Sequence, residues 1–118
     1  MIAPKAFRIS AGVGFLAVAL GAFGAHGLKD LLVERELTST WETASLYHLV
    51  HAVVLCGVAW RQPFLRGAWW AFLLGVLVFS GSLYTLCLTN LRVLGAITPI
   101  GGVSLLVGWA WLALARSK

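Results

Sequence analysis

Residues 67–91 read GAWWAFLLGVLVFSGSLYTLCLTNL, twenty-five positions without an Asp, Glu, Lys or Arg. A helix rises 1.5 Å per residue, so about 20 apolar residues cross a hydrocarbon core of ~30 Å. Lipid offers no partner to backbone N–H and C=O groups, so a run of this kind must be helical. Three more charge-free runs, 9–28, 43–60 and 93–115, flank it, and the four together take 86 of the 118 residues. The remaining 32 residues are too few for a soluble domain. The hydrophobic share of 60% also exceeds the ~45–50% usual in soluble proteins. The expectation is one integral membrane domain over residues 1–118, an all-α bundle of four transmembrane helices.

Charge distribution sets the orientation. With four spans, Lys5, Arg8, Arg61, Arg66, Arg116 and Lys118 share one side, while Lys29, Arg35 and Arg92 lie on the other. The richer side is expected to be cytoplasmic, which puts both termini inside and argues against dual topology. All four acids, Asp30, Glu34, Glu36 and Glu42, fall in the first outer loop. The formal charge of +5 comes from cations at run ends rather than a patch, so nucleic acid is not an expected partner. Trp60, Trp69, Trp70, Trp109 and Trp111 map to the inner interface and Trp41 to the outer, where such rings anchor at headgroup level. Lys5 and Arg8 before an apolar run imitate a signal peptide. The run's length and its small residues at helical spacing favour a retained span. Cys56 and Cys87 should lie at different depths and act as small apolar side chains rather than as a disulfide.

Several local signals refine this picture. Ser10, Gly14, Ala17, Gly21 and Gly24 keep one face of the first helix small, as do Ala71 with Gly75 and Gly101 with Ser104 and Gly108. Such faces let helices approach closely. They can close the bundle or bind a second copy, and packing within the chain is the default expectation. Ser39-Thr40-Trp41-Glu42 has the pattern of a capping box opening the second span. Residues 28–37 mix leucines with charges and fit a short interfacial helix. Pro99, six residues into the last run, predicts a bent or broken entry to the fourth helix at Thr98-Pro99.

Polar residues inside spans are the functional candidates. His26, Tyr47, His48, His51, Ser82, Tyr84 and Thr98 all map to the outer half, beside Ser80, Thr85 and Thr89. The simplest account is an interhelical hydrogen-bond network that fixes register. Alternatives are an outward-opening ligand or lipid-headgroup site, a zinc or copper site on His26, His48 and His51, or a haem held by two of them. No cofactor is expected. No membrane-embedded acid, serine elbow or phosphate loop signals an enzyme, and the lack of a buried carboxylate argues against a proton-coupled transporter.

Five stretches together resemble a known motif series: residues 21–28 (GAFGAHGL), Tyr47-His48, His51-Ala52, residues 81–84 (GSLY) and residues 97–102 (ITPIGG). They resemble the domain of unknown function 423 family, small bacterial inner-membrane proteins to which human transmembrane protein 256 is similar. The resemblance covers nearly the whole chain. It implies a four-span protein of the plasma membrane and implies no activity. Asn90-Leu91-Arg92 departs from the glycine expected near the end of the second outer loop. The expectation is therefore a non-enzymatic protein whose partners are membrane lipids, a second copy or a membrane complex. A ligand- or metal-binding protein and a small transporter or channel are the alternatives.

Overall fold

The computed structural model describes residues 3–116. Lys118, one of the six cations assigned to the inner side, lies outside them. Four long helices fill the chain: α1 (Pro4–Ala25), α3 (Thr38–Trp60), α4 (Arg66–Thr89) and α5 (Thr98–Leu114). The short α2 (Lys29–Arg35) lies in the first outer loop, where the leucine-and-charge pattern predicts an interfacial helix. The first two long helices start before their charge-free runs. Those runs mark the hydrocarbon layer, whereas a helix continues into the headgroup layer, where Lys5, Arg8 and Glu42 reach water.

The helices pack in the order α1, α3, α4, α5, with α2 laid on α3. The α3–α4 pair is central and α1 and α5 form its flanks, giving a flattened bundle of 51 × 25 × 17 Å. One apolar core joins Leu55, Trp69, Phe72 and Leu105 toward the end that carries both termini. A second joins Leu32, Trp41, Tyr84 and Cys87 toward the opposite end. Large apolar side chains such as Phe15, Val93 and Leu114 are exposed on the outside, as a lipid-facing surface requires.

The small-residue faces are used within the chain. Gly24 accommodates the Trp41 indole, and Gly101 lies on the backbone of Phe79, where any Cβ would collide. Cys56 and Cys87 are both free thiols.

Two local expectations are corrected. The capping box does not form: α3 begins at Thr38, its cap residue is Leu37, and no side chain caps it. Ser39 is already inside the first turn, so it cannot serve as the cap. The entry to the fourth helix is broken as expected, with a 3-10 turn over Arg92–Ala96 before α5. The Thr98 hydroxyl, inside the first turn, bonds Ser82. Three tryptophans are struts rather than interface anchors. Trp41 Nε1 donates to Leu20 O, Trp69 Nε1 to Ser10 Oγ, and Trp109 Nε1 to His51 Nε2. An indole N–H withdrawn from water needs an acceptor, and each finds one on another helix.

The outer loops are tied by arginines. Arg35 donates to Cys87 O and Leu88 O at the end of α4, and Arg92 donates to Arg35 O. A guanidinium there satisfies carbonyls that the helix leaves open and complements the negative end of its dipole. Asn90 ends α4 with φ 60°. Asparagine tolerates this left-handed conformation, so it replaces the glycine expected in that loop.

Candidate functional site

Residues Ala44, His48, His51 and Ala52 form a buried stripe on α3, as their i, i+3, i+4 spacing dictates. His48 sits between α1 and α4. Its Nε2 lies 2.9 Å from Val13 O, and its Nδ1 lies 2.9 Å from the Tyr84 hydroxyl. A carbonyl only accepts, so Nε2 carries the proton, and in the neutral ring Nδ1 accepts from Tyr84 O–H. One imidazole thus joins three of the four long helices.

His51 faces the other flank. Its Nδ1 is 2.8 Å from Tyr47 O one turn earlier, and Trp109 Nε1 donates to its Nε2 at 3.1 Å. The same reasoning gives the opposite tautomer: Nδ1 carries the proton and Nε2 accepts. Phe72 and Trp109 pack around this ring, with centroids at 5.8 and 5.9 Å.

In the neutral form of each imidazole both nitrogens are engaged and the single lone pair is occupied. A metal ligand needs that lone pair. His26 does not join them. Helix α1 ends at Ala25, and His26 is the exposed residue that caps it, ahead of Gly27. The structure does not gather the three histidines, and among the described residues no cluster of three His, Cys, Asp or Glu side chains is placed to hold a metal.

The other candidates divide in the same way. Ser82 Oγ and Thr98 Oγ1 are 2.6 Å apart and link α4 to α5, with Ser82 also donating to Phe79 O. Ser80 Oγ, buried, donates to Ala44 O and links α4 to α3. Thr85 and Thr89 bond carbonyls one turn back on their own helix, and Thr89 also accepts from Leu91 N–H, so neither links one helix to another. Tyr47 lies over Phe79, with ring centroids 4.6 Å apart.

Two openings adjoin this network. A cleft of about 400 Å³ between α3, α4 and α5 is lined by Tyr47, His51, Phe79, Pro99 and Trp109. A second opening, of about 360 Å³, lies near the outer ends of α1 and α3, with Lys29, Glu42 and Ser45 in its lining. Ser45 Oγ is buried and has no hydrogen-bond partner among the described residues.

The family model described as "Protein of unknown function (DUF423)" matches residues 20–102. The chain belongs to this family. That range holds all seven outer-half candidates, from His26 to Thr98. The chain is 41% identical to the UPF0382 membrane protein YwdK of Bacillus subtilis, over 97% of this chain and 98% of that protein. It is 44% identical to a UPF0382 membrane protein of Staphylococcus epidermidis, over 87% of each. A UPF0382 membrane protein of Schizosaccharomyces pombe, C1782.12c, is 37% identical over 88% of this chain and 94% of its own length. No solved structure matches. This DUF423 chain is thus a small membrane protein of a family without an established activity. The resemblance drawn from the motifs holds.

Sequence reasoning missed Trp109 as a partner of the cluster and the Ser10–Trp69 bond toward the end that carries both termini. The available signal was chemical. A tryptophan in a charge-free run brings an N–H that must find an acceptor if it faces protein. Which acceptor it finds depends on tertiary packing.

Proposed function

We propose that this protein is a non-enzymatic accessory of the bacterial plasma membrane, with both termini in the cytoplasm, which stabilises itself or a partner complex by helix packing. The observation that carries this reading is the closure of the polar cluster. Every ring nitrogen of His48 and His51 is already engaged, and the Ser80, Ser82, Tyr84 and Thr98 hydroxyls bond across helices. Groups committed in this way hold register, and general acid, base or ligand work requires an open position. The six-to-three distribution of cations supports the orientation.

Crosslinking in native membranes, followed by affinity purification and quantitative mass spectrometry, tests the role. A reproducible second copy or membrane-protein partner is the expected result. Recovery of monomer alone overturns it. Cysteine labelling from either side of the membrane, with single cysteines placed at Arg116 and Glu34, tests the orientation, and protection of Arg116→Cys in intact cells is expected.

One observation favours a second reading, a ligand-binding protein. The cleft beside Tyr47 and His51 reaches the network from the side, and its volume lies in the range of small-ligand sites. Lipid or small-molecule density retained there, and lost in Tyr47→Ala, would shift the assignment to that reading.

A further inference from the structure

The end of the bundle that carries both termini holds a larger cleft, of about 630 Å³, distant from the histidines. It lies where the start of α1, the α3–α4 loop and the start of α4 meet. Lys5 and Arg66 line it, and Ala6, Ile9, Phe64 and Trp70 supply apolar walls. No acid lines it, because all four of the chain's acids belong to the opposite end.

Its cations are uncommitted, unlike three of the chain's arginines. Arg35, Arg61 and Arg92 are each bonded to backbone carbonyls. Lys5 and Arg66 hydrogen-bond no described residue. Lys5 and Arg66 also stand in the first turns of two long helices, α1 and α4, neither of which has a side-chain cap or an acid in that turn. Open N–H groups and the positive ends of two dipoles therefore add to the two side-chain charges. Ile9 and Trp70 are about half exposed, at 49% and 48%, so the apolar wall continues onto the lipid-facing surface.

We propose that this cleft binds an anionic phospholipid, with its phosphate between Lys5 and Arg66 and an acyl chain along Ile9 and Trp70. Basic pockets between transmembrane helices at headgroup level suit such lipids. Two cations without an acid match a net negative headgroup. They offer nothing to the ammonium of a zwitterionic one. The apolar wall reaching the bilayer favours a lipid over a free phosphate. The site is separate from the histidine network, so its failure would leave the accessory reading intact.

The test is native mass spectrometry of the full-length protein in neutral detergent. Phosphatidylglycerol and phosphatidylcholine of the same chain length are titrated onto wild type, Lys5→Gln/Arg66→Gln and Arg116→Gln, a control at the same end that does not line the cleft. Wild type should prefer phosphatidylglycerol, and the double variant should lower that preference by about thirtyfold. The control should retain it. Lys5→Gln alone, on an exposed side chain, should lower it by about fivefold, which keeps the test decisive if the double variant does not fold. Equal binding of the two lipids by wild type, or a preference unchanged in the Lys5 variants, overturns the proposal. Competition by glycerol phosphate as effective as the lipid itself overturns the lipid as occupant.

Discussion

The two flanks of the bundle combine close glycine packing and hydrogen bonds in different proportions. On one side, α5 meets α4 by close backbone approach. Gly101 lies on the Phe79 backbone, Gly108 on the Phe72 ring and Gly75 on Leu105. On the other side, α1 meets α3 and α4 largely through polar side chains: Trp41 to Leu20 O, His48 to Val13 O, and Trp69 to Ser10. Lipid tails are as apolar as leucine, so burial alone does not hold helices together in a bilayer. Dispersion at short range and hydrogen bonds must do it: the α5 flank adds three glycine contacts to its bonds from Thr98, Ser104 and Trp109, whereas on the α1 flank one glycine, Gly24, admits the Trp41 indole beside the polar bonds. The difference matters for substitution. A glycine seam fails by steric clash, which the backbone cannot relieve. A polar seam loses one modest bond at a time.

Substitutions ranked by expected effect can break or sharpen this contrast. The largest effect is expected for Gly101→Leu, whose side chain would have to enter the Phe79 backbone. A destabilisation of about 3 kcal/mol or more is expected, read as a lowered melting temperature in lipid nanodiscs. Wild-type stability would dismiss the glycine seam. Next comes His48→Ala, which removes both bonds of the ring and leaves Tyr84 unpartnered. About 1–3 kcal/mol is expected in the same assay. Trp109→Phe keeps the ring's bulk and deletes one donor, and about 0.6 kcal/mol is expected. A much larger loss would show that the α5 flank also depends on polar bonds. The smallest effect is expected for Gly21→Ala. Although Gly21 belongs to the small face of α1, a Cβ there meets nothing within 4 Å, so the change should stay within about 0.5 kcal/mol.

The four spans were legible because the hydrocarbon thickness imposes a length on every apolar run, and charges mark where each run stops. The broken entry at Pro99 was legible for a comparable reason, since proline has one local consequence wherever it sits in a helix. Depth was legible too, because helical rise converts sequence position to height. Azimuth was less so. His48 and His51 share a face, yet the ring of one turns toward α1 and α4 and that of the other toward α5. Partners such as Val13 O and Trp109 Nε1 are fixed by tertiary packing. His26 failed as a cluster member because α1 ends at Ala25, before its charge-free run does. The chain turns tightly there, and a Cβ at Gly27 would collide with the Phe23 ring. The capping box failed because the pattern Ser-x-x-Glu states a possibility, and the helix began two residues earlier, with Leu37 in the cap position.

The central claim is that the buried histidines are neutral struts whose nitrogens are all engaged. Nitrogen-15 NMR of histidine-labelled protein in lipid vesicles at neutral pH, with and without stoichiometric zinc, tests it most directly. The account expects an Nε2–H tautomer for His48, an Nδ1–H tautomer for His51, and no change in either when zinc is added. Doubly protonated rings, or zinc-induced shifts at both residues, would contradict it.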